Sequence, residues 1–182
     1  HTAIEVIIAC TLPERDIRRL PGFEERLRER FPEIALLQPT NPNDIVSMAH
    51  ALEFATLGLQ AQAGCPVTFS RTAETLEEGI YQVVIEYSEE SVGRLAFEQA
   101  CALCQAAINT QPFDLTETLR ILRELDEDVR LGPSTGAIVY AAQARNIPYR
   151  RLTEGSMVQF GWGSKQRRIQ AAETDRTSAV AE

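Results

Sequence analysis

The stretch Tyr81-Gln-Val-Val-Ile-Glu-Tyr87 decides the fold of the first part of the chain. Apolar or aromatic side chains occupy every second position from Tyr81 to Tyr87, a period of two that predicts a strand with one buried face. The segment that follows, residues 91–108, is rich in Ala, Leu and Cys and predicts a long helix. A strand whose apolar face must be covered by a helix predicts an α+β fold, with helices on a small sheet.

Other elements extend outward from this pair. A helix over residues 44–63 is predicted from apolar residues three or four apart, with Asn43 as a possible N-cap and Gly64 at its end. The predicted buried face of that helix consists of Ile45, Met48, Leu52, Ala55 and Leu59. The remaining predicted elements are strands over 4–9, 34–37 and 67–70, a charged helix over 23–31, and a helix over 114–127 capped by Asp114.

The chain changes character after Arg130. A small-residue helix is predicted from Pro133 to Arg145, followed by short strands over 149–152, 157–160 and 168–171 and a helix start at 177–182. These elements predict an N-terminal α+β domain over residues 1–112, a connecting helix over 113–130, and a smaller β-α-β-type unit over 131–182.

Charge is distributed unevenly along the 182 residues. The chain has a net charge of −8, yet residues 145–176 carry seven basic side chains against three acids. An acidic body argues against nucleic-acid binding, and the basic segment favours an anionic small ligand, a carboxylate or an acidic partner. No apolar run approaches the roughly 20 residues of a membrane helix. Four cysteines without a secreted-type framework favour a reducing cytoplasm.

Few residues carry a recognisable chemistry. Cys101 and Cys104 form a CxxC within an apolar helical segment, and we interpret the cysteines as core thiols rather than metal ligands. His50 and Glu53 lie three apart on one helix, and a structural pair is favoured over an acid–base pair. We predict no catalytic residue and no metal ligand in this chain.

An anion site is the strongest candidate that the residues themselves indicate. Lys165-Gln-Arg-Arg168 places Arg167 and Arg168 on a strand, where alternation sends them to opposite faces. One could bind a carboxylate with its forked donors, while the other is solvated. The default interpretation of these charges is nevertheless a solvated run with no ligand. Thr177 and Ser178 lie at a predicted helix start, where N–H groups and a hydroxyl can face an anion. The alternative is that Thr177 only caps a structural helix.

The second half closely resembles the cyanophycin synthetase family. The resemblance is carried by Gly132-Pro-Ser-Thr-Gly-Ala-Ile-Val139, by Ser156-Met-Val-Gln-Phe-Gly-Trp-Gly-Ser-Lys-Gln-Arg-Arg-Ile-Gln-Ala-Ala172 and by Thr174-Asp-Arg-Thr-Ser-Ala-Val-Ala181. A weaker resemblance extends back to about residue 20. The helix that usually reads Glu-His-x-Ala-Leu-Glu-Leu-Gln in the family differs here, with Phe54 and Gly58 replacing the His and the second Glu.

The resemblance implies an ATP-dependent ligase that polymerises aspartate and arginine with Mg²⁺, and that residues 131–182 begin its ATP-grasp domain. The expected partners are the polymer or its building blocks and further copies of the protein. The chain itself is expected to bind no ATP or Mg²⁺ and to dock polymer or hold the assembly. The resemblance also implies that Ser178, beside Thr177, donates a hydrogen bond to the carboxylate end of the polymer. Arg167 or Arg168 would then support the same carboxylate. The alternative is a stand-alone polymer-binding or assembly module.

Overall fold

The computed structural model describes residues 2–34, 45–153, 155–171 and 173–174. Helices and two antiparallel sheets make up this part of the chain, which confirms the α+β class. No helix among the described residues is long and apolar enough to span a membrane. The helices are α1 Phe23–Arg30, α2 Met48–Ala63, α3 Glu90–Ile108, α4 Leu115–Val129 and α5 Pro133–Gln143. The strands are β1 Ala3–Ala9, β2 Ser70–Glu74, β3 Ile80–Glu86, β4 Tyr149–Arg151, β5 Val158–Phe160, β6 Arg167–Gln170 and β7 Glu173–Thr174.

The chain divides into two compact units, His1–Asp128 and Val129–Glu182. The first unit contains the sheet β1-β3-β2 and the second contains the sheet β4-β5-β6-β7. The predicted domain limits at residues 112 and 131 rest on the pattern of the sequence and stay a prediction.

Strand β3 is the centre of the first sheet because β1 and β2 pair with its two edges in antiparallel register. Tyr81, Val83 and Ile85 are buried, as the alternation predicts, and α2 and α3 pack on the sheet. Both helices bury small residues, including Ala55 of α2 and Ala100 of α3, which are fully buried. Small side chains allow close packing, so the two helices share a single layer over the sheet.

Helix α2 begins later than its pattern predicts. The prediction of a start at Asp44 is wrong, because residues 45–47 have no helical assignment and Ile45 is 57 % exposed. Ser47 is the N-cap, and its backbone N–H donates to Nδ1 of His50 at 3.2 Å in a reciprocal capping box. Gly64 ends the helix with φ 99°, as predicted.

Helix α1 supplies much of the bulk of the first core. Phe23, Leu27 and the adjoining Phe31 are fully buried. The adjoining flank of the same helix carries two arginines that reach the C-terminal end of α3. Nε of Arg26 donates to the carbonyl of Ala107 at 2.6 Å, and Nε of Arg30 donates to that of Gln111 at 2.7 Å. Cations at the last carbonyls of a helix stabilise its end.

Two strand predictions in the first unit have different outcomes. The strand predicted over 67–70 is wrong in position, since β2 covers Ser70–Glu74 and its register is set by pairing with β3. The strand predicted over 34–37 lies almost wholly outside the described residues, as does the proposed cap Asn43.

Helix α4 begins as predicted and lies on the first unit. The carboxylate of Asp114 accepts from the backbone N–H of Glu117 at 2.9 Å, which is the expected cap. Arg123 donates to the carbonyl of Gln62 at the end of α2, and Leu119 and Leu122 are buried.

The second unit differs from the predicted β-α-β order. Helix α5 follows Gly132 with Pro133 at its first position, and no strand precedes it among described residues 113–132. The strands after it form an antiparallel meander. Val139 of α5, Val158 of β5 and Ile169 of β6 form the core between helix and sheet. Short strands joined by tight turns at Gly161 and Ala171, both with positive φ, favour antiparallel neighbours over a crossover.

We expect Gly93→Ala to lower the free energy of unfolding. A Cβ at Gly93 would lie 2.7 Å from Cβ of Tyr87, and overpacking of about 1–3 kcal/mol outweighs a helix-propensity gain of about 1 kcal/mol. Gly136→Ala in α5 is the matched control, because a Cβ at Gly136 would meet nothing closer than 3.6 Å. This substitution should raise the free energy of unfolding, since the added Cβ reduces the conformational freedom of the unfolded chain. Urea unfolding of both variants measures the two changes in stability. If Gly93→Ala is as stable as the unsubstituted chain, Gly93 and Tyr87 are not in close contact.

Candidate functional site

The predicted arginines of the anion site lie on opposite faces of β6. Arg167 shares its face with the buried Ile169, and its Nη1 donates to the carbonyl of Gln166 at 2.8 Å. Arg168 projects from the other face, away from the core formed with α5. Both side chains are exposed. Thr177 and Ser178 lie outside the described residues, so the structure does not place them relative to either arginine.

A row of polar side chains crosses the open face of the second sheet. Arg150 on β4 lies opposite Gln159 on β5, and Gln159 lies opposite Arg168 on β6. Residues directly opposite in antiparallel strands project to the same face. Nε of Arg168 donates to Oε1 of Gln159 at 3.3 Å. We call Arg150, Gln159 and Arg168 the cationic row.

The cationic row suits an anion with oxygen acceptors. Its two arginines are two strands apart, about 10 Å between backbones, since neighbouring strands lie roughly 4.8 Å apart. Long arginine side chains can converge over that distance on one carboxylate or phosphate. No carboxylate of the described residues pairs with Arg150 or Arg168. Sequence reasoning missed Arg150 and Gln159, because only the strand register brings them beside Arg168.

The described residues do not fit a Mg²⁺–nucleotide site. Binding of Mg²⁺ with ATP takes carboxylates that hold the ion beside the phosphates. No group of three His, Cys, Asp or Glu side chains capable of holding a metal occurs in the described part of the chain. Between residues 129 and 174, leaving out 154 and 172, the only carboxylate is that of Glu173.

Of the pair His50 and Glu53, His50 has a structural role at the start of α2. Nδ1 of His50 lies 2.9 Å from Oγ of the buried Ser47 and accepts from the Ser47 backbone. The ring also meets Tyr81 edge to face, with centroids 5.9 Å apart. Burial lowers the pKa of His50, and the Glu53 carboxylate partly opposes this effect. A neutral imidazole that completes a helix cap is the arrangement this geometry favours.

The cysteines do not form a reactive centre. All four are free; Cys10, Cys65 and Cys104 are buried, whereas Cys101 is exposed and its predicted core position is wrong. Burial raises the pKa of the Cys65 thiol, and the Asp126 carboxylate, 3.8 Å from its sulfur, raises it further. A protonated thiol is a poor nucleophile, so the Cys65 geometry favours packing.

Fold and side-chain arrangement together define a two-unit α+β protein with a row of arginines on one face of its second sheet. Comparison with known proteins shows which family this chain belongs to. The family model described as "Cyanophycin synthase-like N-terminal domain" matches residues 5–109 of this chain. The cyanophycin synthetase of Trichormus variabilis is 38 % identical over 182 residues, covering 93 % of this chain and 20 % of that protein. That of Synechocystis sp. is 39 % identical over 172 residues, and that of Geminocystis herdmanii 44 % over 136 residues.

The chain belongs to the family of cyanophycin synthase-like N-terminal domains, which confirms the resemblance. The Synechocystis match covers 88 % of this chain and the Geminocystis match 73 %. The chain spans about a fifth of the length of the curated relatives it matches.

We expect the stability of the chain to fall as the pH drops through the range where His50 titrates. The folded pKa of His50 is lowered by burial, so the unfolded chain takes up its proton first, below about pH 6.5. His50→Gln should weaken this pH dependence, because Gln at the third helical position can keep the capping box.

Urea unfolding at pH 7.5 and pH 5 measures the difference. His1→Gln is the control, since His1 and His50 are the two histidines of the chain. An unchanged pH dependence in His50→Gln would assign the titration to other groups.

Proposed function

We propose that this chain is the N-terminal part of an ATP-dependent amino-acid ligase that polymerises aspartate and arginine into cyanophycin. The observation that carries the proposal is the match of nearly the whole chain to about a fifth of several cyanophycin synthetases. In this proposal the chain catalyses nothing itself, and docks polymer or holds a homo-oligomeric assembly in the cytoplasm. Residues from about 131 form the first elements of the ATP-grasp domain.

A stand-alone polymer-binding or assembly module is the second candidate. The compactness of His1–Asp128 favours it, because such a unit has its own core. The continuation of the reading frame separates the two candidates. A downstream segment with nucleotide-binding lysines and metal-binding carboxylates supports the ligase, and a stop codon near residue 182 supports the module.

The cationic row gives the proposed ligase a place to hold an anion. The growing polymer presents carboxylates, and a guanidinium binds such a group with two parallel hydrogen bonds. We propose Ser178, beside Thr177, as a further donor to the polymer's carboxylate. Of the two arginines considered with it, Arg168 is favoured over Arg167 because Arg150 and Gln159 share its face.

In the full-length enzyme, we expect Ser178→Ala to raise the apparent KM for polymer primer about ten- to a hundredfold, and that for ATP much less. A hydrogen bond to a charged group contributes roughly 1.5–3 kcal/mol, and each 1.4 kcal/mol is tenfold. Steady-state kinetics with varied primer measures the effect. An unchanged primer KM in a folded variant removes Ser178 from the site. Loss of about 1 kcal/mol in stability with normal kinetics for Thr177→Ala identifies a helix cap instead.

Arg168→Gln should act in the same direction as Ser178→Ala in that assay. Arg167→Gln is its matched control, because it removes the same charge from the opposite face of the same strand. Equal effects of the two substitutions would show that net charge, rather than the cationic row, determines primer binding.

We expect the 182-residue chain to show no micromolar binding of Mg·ATP. Its described residues lack the cluster of carboxylates that would hold the metal beside the phosphates. Isothermal calorimetry tests this, with adenosine as a control for contacts to the base alone. A micromolar, magnesium-dependent signal would contradict the proposal that the chain is non-catalytic by itself.

A further inference from the structure

Helix α5 is apolar on both of its sides. The side that faces the second sheet buries Thr135, Val139 and Ala142. The opposite side carries Tyr140, which is 75 % exposed. No charged residue occurs in Pro133–Gln143. A helix at a protein surface normally turns charged residues to solvent, and a helix that is apolar all round is normally buried. We therefore expect the outer side of α5 to be covered.

Four residues form this outer side. Ala137, Tyr140, Ala141 and Ala144 recur at spacings of three and four, so they project together along the helix. Ala137, Tyr140 and Ala144 are exposed, and Ala141 is half-buried. We call these four residues the outer face of α5. One large ring among small side chains suits a second helix, because the small residues let its backbone approach and the ring fills a groove between its side chains.

The unit that contains α5, Val129–Glu182, has a small core. Among its described residues the core consists of Val139, Val158 and Ile169, with Leu131, Tyr149 and Phe160 packed against them. A core of this size seldom stabilises an independent unit. A cover over the outer face of α5 would give the unit a second apolar layer on the other side of the helix.

The comparisons indicate where such a cover comes from. The family model of the N-terminal domain ends at residue 109, before α5 begins. The match to the Trichormus variabilis protein, in contrast, covers 93 % of this chain but only 20 % of that relative. The second unit therefore lies beyond the N-terminal domain, and most of the relative lies outside the matched part.

We propose that the outer face of α5 is the docking surface for a helix supplied by the part of the full-length protein that follows residue 182. The inference rests on the proposed function, because it requires such a following part. It adds to that function the surface through which the second unit is held to the rest of the enzyme. The docking helix would carry an aliphatic stripe, since the outer face offers no charge to pair with.

Hydrogen exchange followed by mass spectrometry tests the cover. We expect the amides of α5 to exchange at least about tenfold more slowly in the full-length protein than in the 182-residue chain, because a covered helix opens less often. General stabilisation of the second unit would also slow this exchange. A substitution on the outer face separates the two causes.

Tyr140→Glu places a charge at the centre of the outer face. In the 182-residue chain this variant should keep its urea midpoint, because the side chain is exposed there. In the full-length protein it should bring the exchange of α5 to within about threefold of that in the 182-residue chain, since docking would bury an unpaired carboxylate. Gln143→Glu is the matched control, because it adds the same charge at an exposed position of α5 outside the outer face and should leave the exchange slow.

Several results would overturn the proposal. A loss of stability on Tyr140→Glu in the 182-residue chain would show that this chain covers the face itself. Self-association of the 182-residue chain that Tyr140→Glu abolishes, measured by sedimentation, would assign the face to a second copy. Equal effects of Tyr140→Glu and Gln143→Glu would assign the change to charge on the helix. A reading frame that stops near residue 182 overturns the proposed function together with this inference, whereas equal exchange of α5 in both chains overturns the inference alone.

Discussion

The two-sided pairing of β3 is the constraint on which the first unit depends. Because β1 and β2 occupy both edges of β3, its backbone groups are satisfied within the sheet and its apolar side chains can be buried. Tyr81, Val83 and Ile85 then define the only face that needs a cover, and α2 and α3 provide it. The same pairing makes β1 an edge strand, so the free backbone groups on its outer side follow from how the core is built.

The two sheets share one construction but expose different features. In each, alternation buries one face against helices and leaves the other to solvent. The first sheet has a free edge at β1, while the second sheet carries a row of arginines on its solvent-exposed face. The basic row of the second unit therefore stands within a chain whose net charge is −8.

Elements with a strong local signal could be predicted from the sequence, and those fixed by distant contacts could not. The alternation of β3 and the glycine after α2 are local, and both predictions are confirmed. The start of α2 depends on a Ser47–His50 cap, and the position of β2 depends on pairing with β3. The opposite faces of Arg167 and Arg168 follow from alternation alone. The partners of Arg168 need the register of three strands, which no pattern within one strand contains.

The arginines of α1 change how the segment after α3 should behave in solution. Residues 109–113 contain a proline and polar side chains, the composition of an exposed linker that a protease cuts readily. Arg30 holds the Gln111 carbonyl through two of its nitrogens, and Arg26 holds that of Ala107. A protease must draw several residues into an extended conformation before it can cleave them. Cleavage beside Gln111 therefore requires the Arg30 contact to open first, so the exposed segment between α3 and α4 is constrained at its centre.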